Sequence, residues 1–336
     1  MTQPEPKGSG WNVEPNVNRV VCAIDSNMVH ALAVLCCSLT HTAKKPFHLT
    51  VGFLEGTLTE NEREYLGNVF SALRVSADFL NLANDDRFIT QGHISPTTFA
   101  KFLLSDAIPQ QHVWIDADTV ALDGWDCIFD EIRSATKDQK LVVARRGKPG
   151  NTPSKSDPFS LPFNAGVLGW PEGERIDWQA PLAAMYVLET QEQHLFNVLY
   201  ANDAKWVSEK FNTLTYRVDL LDRNNLPHIV HYAGAHKPWH LPRRLQEHCL
   251  TYDCPWALWF QAENDFVDFA RQNGLLAVTE QYQSLAMGSG RIRWGRDNSG
   301  YQLLRLLQAL GPLAQPFIRI LSIGRRWIPR GTHPVH

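Results

Sequence analysis

The chain of 336 residues has little of what marks several large protein classes. No apolar stretch is long and uninterrupted enough to span a bilayer. The formal net charge of −3 provides no positive field for nucleic acid. The six cysteines form neither a disulfide framework nor a paired Cys-x-x-Cys zinc pattern, so we expect buried thiols in a reducing cytoplasm. These absences argue against an integral membrane protein, a nucleic-acid-binding protein and a disulfide-rich secreted domain.

Apolar runs that read as strands alternate with helical patterns through most of the chain. Residues 1–18 are polar and proline-rich, which predicts a disordered lead-in rather than a secretory signal. The alternation over 19–285 predicts a doubly wound α/β domain that binds ligands beyond the carboxyl ends of its strands. The predicted strands are VVCAI, HLTVGFL, ADFLNL, VWIDAD, LVVAR, FNAGVLGW and HIVHY, and the predicted helices lie near 28–40, 59–73, 97–106 and 176–200.

The most informative motif is VWIDADTVAL, residues 113–122, in which two aspartates follow a short apolar run. Asp116 and Asp118 emerge where the predicted strand stops. Because residues i and i+2 of a strand point the same way, the two carboxylates face one point and can hold a divalent cation. The alternative is an ordinary turn at a strand end, where Asp is common.

A second segment, HYAGAHKPW at 231–239, offers groups that would complement the aspartates. His231 follows an apolar pair, and its neutral imidazole is a good third ligand for manganese or a similar ion. Gly234 permits close backbone approach, and Lys237 is a compact cation for a phosphate. Prolines at 227 and 238 argue against a helical His-x-x-x-His zinc site here.

A third segment, FNAGVLGW at 163–170, lies between the other two in the chain. Asn164 can hydrogen-bond a sugar hydroxyl, Ala165 is a small residue beside it, and Gly166 leaves space for a ring. Together the three segments resemble the family 8 glycosyltransferases, which are retaining, metal-dependent enzymes that include lipooligosaccharide galactosyltransferases, glycogenin and galactinol synthases. The resemblance implies a GT-A-like doubly wound mixed sheet, a UDP-sugar donor, and Mn²⁺ or Mg²⁺ held by three residues. These ligands are Asp116, Asp118 and His231.

The first predicted strand extends the resemblance. In the family this strand delivers an Ala-x-Asp-x-Asn-like run to the uracil and ribose of the donor, and Ala23, Asp25 and Asn27 match that run. A carboxylate can accept the imide N–H of uracil, and an amide can serve the ribose. The alternative is that Asp25 caps the helix that follows, and the two roles are compatible.

The segment EQHLFN, at 192–197 in a predicted helix, matches a further family motif with one departure. The resemblance places Gln193 beneath the reactive sugar carbon and Glu192 against the hydroxyls of the donor sugar, whereas His194 replaces a second aspartate. From the residues alone the segment is a solvated helix face. Lys101 stands where the family keeps a basic residue, commonly arginine, near the sugar, but lysine lacks a two-pronged grip.

Two regions depart from the family or go beyond its motifs. Arg145 and Arg146 stand where the family tends to carry an acidic residue, so they are either solvated loop residues or contacts to a phosphate.

The segment 147–163 reads as a mobile loop that closes over the donor. Residues 286–336 form a basic, aromatic extension, with eight arginines and one acid after residue 290. This extension is expected either to lie in a membrane interface or to pack on the domain as amphipathic helices.

The sequence therefore predicts a retaining hexosyltransferase. It would move a hexose from UDP-glucose or UDP-galactose to a hydroxyl of a glycan, glycolipid or other acceptor, in the cytoplasm or at the inner face of the membrane. Gln193, Lys237 and Glu192 are the predicted catalytic residues, and a front-face mechanism is favoured because an amide is a poor nucleophile. The alternatives are a small soluble acceptor and a catalytically decayed nucleotide-sugar-binding protein. A nucleotidyltransferase is disfavoured because 23–31 contains no glycine for a phosphate loop.

Overall fold

The computed structural model describes residues 17–88, 95–146, 162–173, 175–184, 191–218, 225–234, 237–241, 243–251 and 256–289. The predicted lead-in at 1–18, the closing loop at 147–163 and the extension at 286–336 lie almost entirely outside the described residues. Among the helices that are described, none is long and apolar enough to cross a membrane.

The strands, in chain order, are β1 (Asn18–Ala23), β2 (Phe47–Leu54), β3 (Ser76–Leu82), β4 (His112–Ile115), β5 (Thr119–Ala121), β6 (Leu141–Arg145), β7 (Phe163–Trp170), β8 (Ala204–Val207), β9 (Thr213–Leu214) and β10 (Ile229–His231). The helices are α1 (Val29–Thr42), α2 (Glu60–Ala72), α3 (Ala100–Ala107), α4 (Ile128–Arg133), α5 (Gln179–Ala184), α6 (Gln191–Tyr200), α7 (Arg243–Thr251), α8 (Ala257–Gln272) and α9 (Leu276–Ser289).

A mixed seven-stranded sheet in the order β3-β2-β1-β4-β7-β6-β8 forms the centre of the fold. Strands β1 to β4 run parallel, β7 is antiparallel to both of its neighbours, and β6 and β8 are parallel to each other. Strand β2 is buried along its whole length, as expected for a parallel strand covered by helices on both faces. The carboxyl ends of β1, β4 and β6 therefore lie at one edge of the sheet.

A second, three-stranded sheet in the order β5-β10-β9 lies beyond this edge. β10 runs antiparallel to β5, with His231 opposite Thr119, and parallel to β9. The sequence predicted the segment HIVHY as a strand, which is confirmed, but β10 belongs to this small sheet and not to the main one. β5 and β9 are two or three residues long, so they show no periodic pattern that a sequence could reveal.

Hydrophobic residues on the two faces of the main sheet form two cores. Helix α1 is buried from Val29 to Leu39 and packs against α2, α8 and α9 on one face. Helices α3 and α6 cover the other face, where Phe102 and Phe196 stack with ring centroids 4.2 Å apart. Helix α2 begins at a capping box in which Thr59 and Glu62 satisfy each other's backbone N–H groups.

The predicted helices are confirmed at α1, α2 and α3, with shifts of one to three residues at their ends. The predicted helix near 176–200 is represented by α5 and α6, and residues 185–190 between them lie outside the described residues. The motif aspartates do not extend β4, which ends at Ile115. They lie in the turn between β4 and β5, so their convergence comes from this turn and not from alternation along a strand.

The buried His112 of β4 gives folding stability a dependence on pH. Its Nδ1–H donates to the Gln110 carbonyl over 2.9 Å, and its ring stacks on Trp170. Burial lowers the pKa of His112 from 6.5 to about 3. Because the unfolded chain binds this proton more readily, the stabilisation is complete above pH 6.5 and is lost as the pH falls towards 3. We expect the protonation of His112 to lower the free energy of unfolding by about 2 kcal/mol at pH 5 relative to pH 7.

Urea unfolding at pH 7 and pH 5 would measure this effect. In the His112→Gln variant, whose side chain does not titrate, the loss between the two pH values should be smaller by about 2 kcal/mol. An equal loss in the variant and the wild type would show that His112 does not control the acid sensitivity.

Candidate functional site

The two motif aspartates are placed by hydrogen bonds to both sheets. Asp116 follows β4, and its N–H donates to the Gly166 carbonyl of β7 over 2.8 Å. The Asp118 carbonyl accepts the N–H of Tyr232, which directly follows β10, over 2.9 Å. The pairing of β10 with β5 therefore brings His231 against a segment more than a hundred residues earlier in the chain.

The side chains of Asp116, Asp118 and His231 converge, as the sequence predicted. One ligand atom from each lies within 4.8 Å of the others. The His231 Nε2 atom is 3.3 Å from the Asp118 Oδ1 atom and 3.8 Å from the Asp116 Oδ2 atom. A divalent cation between the three groups would accept the Nε2 lone pair and the carboxylate oxygens together. Two carboxylates and an imidazole fit a cation such as Mn²⁺ or Mg²⁺.

Asn212 orients the imidazole. The His231 Nδ1–H donates to the Asn212 Oδ1 atom over 3.0 Å, which turns Nε2 towards the carboxylates. Asn212 ends a short 3-10 turn, Glu209–Asn212, and is buried. The sequence gives no sign of this role, because a single asparagine between β8 and β9 belongs to no motif.

Lys237 contacts the carboxylate oxygen of Asp118 that does not face His231. Its Nζ atom lies 2.5 Å from the Asp118 Oδ2 atom and also donates to the Tyr232 carbonyl. Burial alone would raise the pKa of the Asp118 carboxyl, but Lys237 and His231 outweigh it and hold that pKa well below its ordinary value. Asp118 is therefore ionised throughout the pH range in which the protein would be assayed.

Lys101 is a second buried cation at the site. The side chain is 2% exposed, and its Nζ atom lies 3.2 Å from the Asp116 Oδ1 atom and 3.3 Å from the Glu192 Oε1 atom. Burial opposes the charge, yet Asp116 and Glu192 together raise the pKa of Lys101 above its ordinary value. The Trp114 indole N–H donates to the same Asp116 oxygen over 2.7 Å. Lys101 thus connects a predicted metal ligand with a predicted sugar-binding carboxylate.

A network of amides links Gln193 to this centre. The Gln193 Oε1 atom accepts the Asn164 side-chain N–H over 2.7 Å and the Ala165 backbone N–H over 3.3 Å. The Asn164 Oδ1 atom in turn accepts N–H groups from Gly166 and Asn212. The side chain of Asn164 therefore uses most of its hydrogen-bonding groups inside the protein, where it holds Gln193 and Asn212 in place.

The segment that carries Asn164 is irregular. Val143 of β6 pairs with Leu168, and Arg145 pairs with Phe163, so that the four residues 164–167 of β7 lie opposite Ala144 alone. Extra residues in one strand form a bulge, and bulges often occur beside active sites. Here the bulge brings the Gly166 backbone against His231 and the Asn164 side chain to Gln193 and Asn212.

The sequence suggested that Gly166 leaves space for a sugar ring, but in the structure Gly166 leaves space for the imidazole of His231. A Cβ atom at this position would lie 2.1 Å from the His231 Cε1 atom and 2.3 Å from its Nδ1 atom. The space beside Gly166 is therefore filled by the imidazole of His231 and not by a sugar.

The predicted uridine residues lie on the far side of β4 from β7. Ala23 ends β1, the neighbour of β4, and Asp25 and Asn27 follow it. The Asp25 carboxylate accepts the Asn27 backbone N–H over 3.0 Å and caps the 3-10 turn Ser26–Met28. The capping role weighed from sequence is thus present, and a role in binding the base stays a prediction. Gly234 has φ +106°, a conformation that favours glycine.

The structure is similar to solved glycosyltransferases. The galactosyltransferase LgtC, solved with donor and acceptor sugar analogues, is 21% identical with a TM-score of 0.54, and the match covers 76% of this chain and 95% of LgtC. The bifunctional glycosyltransferase WbbM is 16% identical with a TM-score of 0.55, over 82% of this chain and 53% of WbbM. GlyE of Streptococcus pneumoniae TIGR4 is 18% identical with a TM-score of 0.50, over 76% of this chain and 64% of GlyE.

These likenesses show that the chain has the fold of these glycosyltransferases, which confirms the predicted GT-A-like α/β architecture with a mixed sheet. The chain spans about half the length of WbbM. No protein-family model matches the chain, and no curated protein matches it.

Proposed function

We propose that the protein is a retaining, metal-dependent glycosyltransferase of family 8, which moves a hexose from UDP-glucose or UDP-galactose to a hydroxyl of a glycan or glycolipid. The observation that carries the proposal is the cluster of Asp116, Asp118 and His231 at the carboxyl edge of a sheet whose fold is shared with LgtC. LgtC was solved with donor and acceptor sugar analogues, so this fold accommodates both kinds of substrate in that protein.

The three clustered residues would hold Mn²⁺ or Mg²⁺. When bound, the cation offsets the negative charge that develops on the departing UDP. Asn212 keeps the Nε2 atom of His231 directed at the site. Lys237, 2.5 Å from Asp118, would place its ammonium beside the diphosphate and stabilise the leaving group.

The order of the strands suggests how the donor lies. Ala23, Asp25 and Asn27 follow β1 and would bind uridine, and the diphosphate would lie at the end of β4. The hexose would then extend towards β7, where Lys101 and Glu192 meet. Glu192 would accept hydrogen bonds from sugar hydroxyls, and the ion pair with Lys101 would hold that carboxylate in place.

The hydrogen bonds of Gln193 favour a front-face mechanism over a covalent intermediate. Retention of configuration requires that the acceptor hydroxyl attack from the face that UDP leaves. The Gln193 Oε1 atom already accepts two N–H groups, which withdraw electron density from an amide that is a weak nucleophile. Gln193 would therefore line the sugar site, and the departing phosphate would take the proton from the acceptor. LgtC also has a glutamine in its active site, since one of its structures is an active-site Gln-to-Glu mutant.

Release of UDP from UDP-glucose and UDP-galactose, with Mn²⁺ or with EDTA, would test the function. We expect metal-dependent release that falls by on the order of 100-fold or more in Asp118→Ala, because the variant lacks a ligand and leaves Lys237 unpaired. The Mn²⁺ affinity of Asp118→Ala, measured by electron paramagnetic resonance, should also be lower than that of the wild type. Mass spectrometry of the enzyme during turnover should show no hexosyl adduct on Gln193.

Asp138→Ala is the matched control, because Asp138 is exposed and lies outside the site. Donor binding without turnover over a broad acceptor panel would favour a nucleotide-sugar-binding protein. A trapped adduct on Gln193 would overturn the front-face mechanism but not the transferase activity.

A further inference from the structure

A cleft opens beside the amide network, on the side away from the predicted uridine site. It is open to solvent and shares Asn164 and Asn212 with the network that holds Gln193 and His231. Its other lining residues are Ala144, Arg145, Arg146, Glu209, Leu214 and Arg217. A molecule in this cleft would therefore be next to the groups that surround the proposed donor hexose.

The position of the cleft in the sheet separates it from the proposed diphosphate site. β7 lies between β4 and β6, and both of these strands point their carboxyl ends to the same edge. Arg145 ends β6, two strand positions from the end of β4, which corresponds to about 10 Å. β1, with Asp25 beyond it, lies on the opposite side of β4. The cleft is thus separated from the proposed uridine site by β4 and β7, on the side towards which the proposed hexose extends.

The lining of the cleft is strongly basic. Three arginines and one glutamate give it a formal charge of +2. Glu209 pairs with Arg217 over 2.8 Å. The Arg145 guanidinium lies 4.9 Å from the Trp206 ring centroid, and within the described part of the chain neither Arg145 nor Arg146 forms an ion pair with an acid. A guanidinium that rests on an aromatic face keeps its N–H edge available for an anion.

We infer that the acceptor carries an anionic group, a phosphate or a carboxylate, near the hydroxyl that receives the hexose, and that Arg145 and Arg146 bind this group. The inference rests on the proposed function and names the class of its acceptor. Two arginines that line one cleft match a phosphate or carboxylate in charge, and a guanidinium matches either anion in hydrogen-bonding geometry. A neutral acceptor would leave these two charges without a counterion in the cleft.

Binding of inorganic phosphate in the presence of saturating UDP and Mg²⁺ would test the inference. UDP fills the proposed donor site, so the phosphate that still binds reports the basic cleft. We expect isothermal titration calorimetry to give an affinity for the wild type that falls about tenfold or more in R145Q/R146Q. R243Q/R271Q removes the same charge from exposed helix positions and is the matched control.

Two further ligands would identify the source of the anion. Tighter binding of glucose 6-phosphate than of inorganic phosphate would indicate a phosphorylated sugar. Arg145- and Arg146-dependent binding to phosphatidylglycerol vesicles, but not to phosphatidylcholine vesicles, would indicate a lipid phosphate. Either result supports an anionic acceptor.

Equal phosphate affinity in the wild type and R145Q/R146Q would overturn the inference. A loss of affinity for UDP itself in that variant would also overturn it, because the arginines would then serve the donor. The proposed function fails separately, if the wild type releases no UDP from either UDP-sugar while phosphate binding still depends on these arginines.

Discussion

Replacing Gly166 by alanine is expected to lower Mn²⁺ affinity by roughly 100-fold or more and to abolish UDP release. The new methyl group would lie 2.1 Å from the His231 Cε1 atom, far inside van der Waals contact. The imidazole is buried and bonded to Asn212, so it can make room only by leaving its place beside Asp118. A residue with no side chain thus determines where the imidazole of His231, the proposed third metal ligand, can lie.

Titration of Mn²⁺ by electron paramagnetic resonance would measure this loss, and near-ultraviolet circular dichroism would confirm that the variant is folded. Gly67→Ala is the control: Gly67 lies in α2 with open space at its Cβ position, and alanine there should raise stability by about 0.5–1 kcal/mol without changing metal affinity. Wild-type Mn²⁺ affinity in folded Gly166→Ala would show that His231 is not a ligand.

Replacing Lys101 by methionine is expected to destabilise the metal-free protein by about 3–5 kcal/mol. The substitution keeps the apolar stem but removes the ammonium between Asp116 and Glu192, which leaves the buried Glu192 carboxylate without its partner. Urea unfolding in EDTA would give the loss. Mn²⁺ should recover part of it, because the cation would restore a positive charge beside Asp116.

Lys101→Arg keeps the charge at this position and should lose much less stability than Lys101→Met. If Lys101→Met were as stable as the wild type in EDTA, the bridge between Asp116 and Glu192 would have no structural role. The difference in stability between Lys101→Met and Lys101→Arg separates the effect of the charge from the effect of packing against Trp114.

Local patterns account for the parts of the site that the sequence predicted. Asp116 and Asp118 are one residue apart, so any turn after β4 keeps them close together. Gln193 and Asn197 lie four residues apart on α6 and face β7 together, where Asn197 bonds the Phe163 backbone. The helical period of this segment predicted the helix, but the hydrogen bond from Asn164 to Gln193 could not be read from it.

The sequence by itself determined the order of β1, β2, β3, β4, β6, β7 and β10 and of the helices α1, α2 and α3. It also determined the position of the carboxylates at a strand end and the residue types able to hold a cation. Only the tertiary structure decided that Asn212 orients His231, that Gly166 lies against its imidazole, and that Lys101 joins Asp116 to Glu192. These contacts join residues 15 to 91 positions apart in the chain, and His231 reaches its place where strands too short to show a period pair with one another. Hydrophobic periodicity reports which face of an element is buried, whereas a polar contact between distant segments depends on the register in which those elements meet.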